Sequence, residues 1–199
     1  MAGDAAETIH DADGKMTSDL PNPHADAPRF AAYFKVRHYE MDALGHVNNA
    51  VYLHYLEQAA YEHSAAAGFS DERTRELGGM WIVRRHEIEY LRPAAAGDVL
   101  QVVTWAVEFK GARAVRDYAI HRYEGQSDNP PSLPADGFLP PNQPLPADPL
   151  VRARTLWVWA DLSTARPRRI PTALYPAFFA TIETGENRRG AEDAENAEK

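Results

Sequence analysis

The chain has 199 residues, 44% of them hydrophobic and 25% charged, with no cysteine. That is the composition of one soluble globular domain, and it excludes a disulfide framework, a thiolate metal site and a cysteine nucleophile. The formal net charge of −8 belongs to the ends: residues 1–27 carry six acids against Lys15, residues 183–199 carry six against Arg188, Arg189 and Lys199, and residues 28–182 are formally neutral. Both ends are rich in Ala, Asp, Glu, Asn and Gly. They cannot bury enough apolar surface to offset ordering, so they read as flexible acidic tails on one domain at 28–182. The first residues lack a basic start followed by an apolar stretch, and no apolar run approaches the roughly 20 residues of a spanning helix. A cytoplasmic protein without a membrane contact is expected.

In chain order, Phe30–Val36 reads as the first strand, rich in aromatic and β-branched residues. Asn49–Gly68 is the one strong helical pattern. Tyr52, Tyr55, Leu56, Ala59, Ala60 and His63 recur at three- and four-residue spacing and predict a buried stripe. Asn48 and Asn49 supply acceptors for the first free amides, and Gly68 a left-handed cap. Trp81–Tyr90, Val99–Phe109, Ala112–Arg122 and Val151–Asp161 read as four further strands. Leu91–Asp98 turns the chain between the second and third, and Lys110–Gly111 predicts a hairpin between the third and fourth. Glu124–Leu150 holds eight of the fifteen prolines and reads as an irregular insertion, because proline removes ladder donors. An α+β fold follows: a five-stranded antiparallel sheet with one long helix.

The segment Arg37–Gln58, RHYEMDALGHVNNAVYLHYLEQ, carries the chemistry. It sets an acid, a glycine turn, a histidine and two asparagines directly before the helix. Unpaired N–H groups at a helix start can hold an oxyanion, and a carboxylate just upstream can act as nucleophile or base toward a carbonyl. Those are the two components of acyl hydrolysis. Asp42 also suits a turn, His46 a structural hydrogen bond, and Asn48 and Asn49 simple caps. His38, His46, His54 and His63 lack the spacing of a zinc hydrolase helix, so no metal is expected. No G-x-S-x-G, Walker or G-x-G-x-x-G motif is present. The pairs Arg84/Arg85, Lys110/Arg113 and Arg152/Arg154, with Arg166, Arg168 and Arg169, are scattered over strands of a neutral core and read as solvated faces rather than a nucleic-acid surface.

The run D-x-x-G-H-V-N-N followed by A-x-Y-x-x-Y-x-E-x-A resembles the hot-dog thioesterase superfamily, in its 4-hydroxybenzoyl-CoA thioesterase branch and the acyl-carrier-protein relatives. EIEYLRPAAAGDVLQVVTW and DLSTARPRRIP extend the resemblance over roughly residues 29–180. It implies a sheet wrapped around the long helix, a homodimer or homotetramer with sites at the subunit interface, and hydrolysis of acyl-CoA or of an acyl- or polyketide-carrier-protein thioester without a cofactor; a non-catalytic acyl-binding protein on the same fold is the alternative. It implies Asp42 as the catalytic acid, the Asn49 amide as oxyanion donor, His46 as its companion and Gly45 as the turn. Val47, Tyr52 and Glu57 fall in the substrate-binding set, and Lys110 and Arg113 are candidates for coenzyme A phosphates. In the plant acyl-carrier-protein thioesterases an asparagine and a glutamate work with this acid; Leu44 and Pro93 stand at those positions here.

Overall fold

The computed structural model describes residues 27–125, 136–140 and 143–179. The tails expected at 1–27 and 183–199 lie outside these residues apart from Ala27, which is buried. Strands β1 (Phe30–Lys35), β2 (Gly79–Tyr90), β3 (Val99–Lys110), β4 (Arg113–Arg122) and β5 (Val151–Asp161) form one antiparallel sheet in the order β1-β3-β4-β5-β2. Helix α1 (Asn49–Ala66) packs against the sheet through the stripe read from the sequence: Tyr52, Tyr55, Leu56, Ala59, Ala60 and His63 are its buried residues. Its start is capped by Asn48, whose side chain accepts from the Ala50 N–H, and Gly68 beyond its end has φ +87. Register shifts between Val83 and Arg85, and between Ala106 and Glu108, bend the sheet, as bulges do.

Two short helices are absent from the sequence reading. Helix α2 (Asp71–Glu76) is too short and polar to show a periodic stripe; Ser70 caps it, and Asp71 and Glu72 stand in its first turn, where the helix dipole favours acids. Helix α3 (Leu174–Phe179) buries Leu174 and Phe178 one turn apart, a pattern its internal proline obscures. The hairpin turn falls at Gly111–Ala112, since Lys110 pairs with Arg113. Strand β2 begins two residues early, at Gly79, where a Cβ would stand 2.3 Å from the Trp159 ring; only glycine lets that indole lie across the strand.

The Pro-rich insertion contributes more than a loop. Phe138 bridges Phe30, the Ala31 N–H donates to Gly137 O at 3.0 Å, and the Leu139 N–H donates to Arg29 O at 2.8 Å. Residues 136–140 thus cover the start of β1's outer edge, where unpaired backbone groups would otherwise invite another strand. Phe138 also reaches the core. It packs edge-on against Phe30 and His63, while His63 stacks on Phe30 at 5.5 Å with the rings 5° from parallel.

Burial of His63, with the Arg116 cation beside it, holds the ring well below the ordinary histidine range. The unfolded chain therefore takes up a proton below pH about 6.5 that the folded chain refuses. Stability is full above that pH and falls as pH drops, by up to about 1.4 kcal/mol per unit for this one group. Urea unfolding at pH 7.5 and 5.5 measures the loss, and His63→Gln is expected to flatten it; an unchanged pH slope in that variant contradicts the assignment.

Candidate active site

The loop between β1 and α1 is a tight return. Met41 and Val47 form an antiparallel bridge, the Asp42 N–H donates to His46 O at 2.7 Å, and the Gly45 N–H donates to Asp42 O at 3.2 Å. Gly45 has φ +78, the left-handed conformation that glycine takes without a Cβ penalty. Asp42 Oδ1 accepts from the Leu44 N–H at 2.8 Å and the His46 N–H at 3.1 Å. Both sequence readings of Asp42 are therefore compatible: one carboxylate oxygen holds the turn, and Oδ2 stays outside those hydrogen bonds.

The loop is fastened to α1 by a residue the sequence reading passed over. Glu40 is 7% exposed. Its Oε2 accepts from the Tyr55 hydroxyl at 2.7 Å and the Arg37 N–H at 2.6 Å, while its carbonyl accepts from the Asn48 N–H at 2.9 Å. Burial, reinforced by the bond to this carboxylate, pushes the Tyr55 hydroxyl well above the ordinary tyrosine range, so it remains a donor. Glu40 thus ties both ends of the Asp42 turn to the helix. No local signal marks it, because its partner Tyr55 is 15 residues away.

At the helix start the Ala50 N–H is taken by Asn48 Oδ1 and the Val51 N–H by Asn48 O, each at 2.9 Å. Among the described residues the Asn49 N–H has no such acceptor, as an oxyanion donor requires. The Asn49 carbonyl accepts from the Tyr90 hydroxyl at 2.9 Å, which fixes the peptide from β2. Asn48 is the structural cap, and the exposed His46 lends both backbone groups to Asp42. Val47 is buried, with its N–H on Ala94 O at 2.9 Å. Tyr52 is buried beside Tyr55 and Tyr90, and burial raises its hydroxyl pKa. Asp42, Gly45, His46, Val47 and Asn49 are therefore brought together, with Tyr52 one helical turn behind.

Glu57, Lys110 and Arg113 stand apart. Glu57 is exposed on α1, in electrostatic reach of His86 on β2. The Asp42 loop docks near Ala94, at the Val99 end of β3, whereas Lys110 and Arg113 are exposed at its other end, about 36 Å along the strand. One chain cannot bring these cations to Asp42. A cavity of ≈ 530 Å³ does flank the loop, with Lys35, Arg37, His38 and Tyr55 in its lining. Sequence reading found no signal for it, since its floor comes from β1 and from Ala96 and Gly97.

Residues 36–178 match the family model of the thioesterase-like superfamily. The chloroplastic acyl-acyl carrier protein thioesterases ATL3 and ATL2 of Arabidopsis thaliana are 29% and 30% identical over 144 residues, 72% of this chain. The chain spans 64% and 65% of the length of these relatives. A 1,4-dihydroxy-2-naphthoyl-CoA thioesterase from Synechocystis superposes with a TM-score of 0.59 at 20% identity, covering 75% of this chain and 95% of its own. A Thermus thermophilus thioesterase complexed with coenzyme A and Zn gives 0.55 at 24% identity, covering 76% and 93%. These two likenesses establish the fold, and the family match spans most of the described residues. The chain belongs to the thioesterase-like superfamily.

Proposed function

We propose that the protein hydrolyses an acyl-CoA thioester to a carboxylic acid and free thiol, with Asp42 as the catalytic carboxylate. The observation that carries this reading is the Asp42 turn: Oδ1 is held by two backbone amides, and Oδ2 stays outside their hydrogen bonds in the loop leading into α1. A pre-set carboxylate can attack the acyl carbon to give an anhydride or draw a proton from water. The Asn49 amide then receives the charge that develops on the carbonyl oxygen. No cofactor enters this scheme. The Lys35, Arg37 and His38 lining of the neighbouring cavity suits the phosphates of the thiol carrier.

Carrier-protein thioesters are the second reading, favoured by the likeness to the two plant acyl-acyl carrier protein thioesterases. Assembly as a homodimer or homotetramer is part of the proposal. Strand β2 is a twelve-residue edge with no strand on its outer side among the described residues, and a second chain is also what Lys110 and Arg113 need to approach Asp42. Among the described residues no helix is long and apolar enough to cross a membrane; a cytoplasmic location is our reading.

Thiol release from short, long and aromatic acyl-CoA substrates tests the activity, with no protein thiol to interfere. Asp42→Ala and Asp42→Asn are expected to lower kcat by about 10²–10⁴-fold while remaining folded. Activity on a loaded carrier protein with none on acyl-CoA selects the second reading, and turnover untouched by either substitution rejects Asp42. Glu40→Ala is expected to cost about 1–3 kcal/mol by stranding the buried Tyr55 hydroxyl, and to lower kcat as the turn loosens. Chemical denaturation beside the same assay reads both effects; Tyr55→Phe, which removes one donor but leaves the Glu40 carboxylate its bond from the Arg37 N–H, is expected to be milder.

A further inference from the structure

Arg116 on β4 is a buried cation without an acid. It is 7% exposed, and its two hydrogen bonds both leave from Nη1, to His63 Nδ1 at 2.6 Å and Thr104 Oγ1 at 3.2 Å. Its guanidinium carbon lies 5.7 Å from the centre of the Phe178 ring. The adjacent acid, Asp117, points to the other side of the sheet by strand alternation. Arg154 claims it there through two 2.6 Å bonds. Among the described residues no carboxylate pairs with Arg116. An unpaired buried charge is costly, and desolvation pulls the Arg116 pKa down.

The packing beside this guanidinium is incomplete. A cavity of ≈ 30 Å³ is lined by Arg116 together with the small side chains of Ala60, Ala106 and Ala114 and the indoles of Trp81 and Trp157. It holds about two water-sized groups, close to the bulk of a carboxylate. Tyr61, 42% exposed, also lines it and marks its opening to solvent. Ala60 is eleven residues beyond Asn49 on α1, about 16 Å along the axis, so this space is separate from the Asp42 turn.

We propose that this cavity is a site for the carboxylate of an aliphatic acid, with Arg116 receiving the carboxylate and the chain leaving past Tyr61. The bonds to His63 and Thr104 use Nη1 alone, and guanidinium matches carboxylate through paired N–H groups. The carboxylate arrives on the far end of a dicarboxylic acyl group or as the released acid. Only that choice rests on the thioester-hydrolase reading.

Binding is tested first, by tryptophan fluorescence at pH 7.5 with decanoate and decan-1-ol as probes. Decanoate is expected to bind at least tenfold more tightly, and Arg116→Gln to abolish the preference. Ala114→Leu, which fills the hollow and keeps the cation, is expected to weaken both probes and serves if Arg116→Gln does not fold. Equal binding of acid and alcohol by the native protein, or a preference that survives a folded Arg116→Gln, overturns the site. Hydrolysis then identifies the source. A far-end carboxylate makes kcat/KM at least tenfold higher for 9-carboxynonanoyl-CoA than for decanoyl-CoA, and Arg116→Gln equalises them. A released acid instead makes decanoate a competitive inhibitor of decanoyl-CoA hydrolysis, which the same variant relieves. Carboxylate binding without any turnover rejects the hydrolase and keeps this site; turnover without carboxylate preference does the reverse.

Discussion

Burying the apolar stripe of helix α1 against the sheet also takes polar atoms out of water. Two of them find side-chain partners, the Tyr55 hydroxyl and the His63 ring nitrogen Nδ1, while His63 Nε2 is buried with no hydrogen-bond partner among the described residues. Left unpaired, each would lose its hydration with no bond in return, a penalty comparable to a large cavity. Glu40 answers the first and Arg116 the second, and these two pairings organise the functional parts of the molecule. The Glu40 pairing holds the Asp42 turn against the helix start. The Arg116 pairing brings a cation into the core beside a small cavity at the other end of the same helix.

The sheet's two edges are treated differently. On β1, the segment around Phe138 supplies backbone partners and an aromatic side chain, so part of a Pro-rich insertion packs on the core and covers the start of that edge. On β2, no described strand does the same. A long, unprotected edge is a template for pairing with another chain unless something covers it. This asymmetry, and the separation of Lys110 and Arg113 from Asp42 by the length of β3, are why a second copy belongs in our functional reading.

Much of the fold was legible because it is written in local periodicity. The α1 stripe repeats at three and four residues, the strands are β-branched and aromatic, and Gly68 and Gly111 sit where positive φ is required. Helices α2 and α3 were not, since six residues give too few turns for a pattern and Pro176 argues against a helix. Within the candidate site, the turn of Asp42 and Gly45 and the place of Asn49 at the helix start were readable because that geometry is set within a few residues along the chain. Glu40 looked like one more charged residue beside Arg37, and Arg116 like one more basic residue on a strand.

The sequence by itself determined the five strands and the long helix, their order, the family resemblance and the turn that presents Asp42, all of which depend on spacings within one helix, strand or loop. Only the tertiary structure decided which charges are buried and what answers them. Glu40 meets Tyr55 across 15 residues and Arg116 meets His63 across 53, and such pairs form because the helix is laid onto the sheet. It is that packing step, which strips water from Glu40 and Arg116 while leaving most other charges solvated, that gives these two residues their roles.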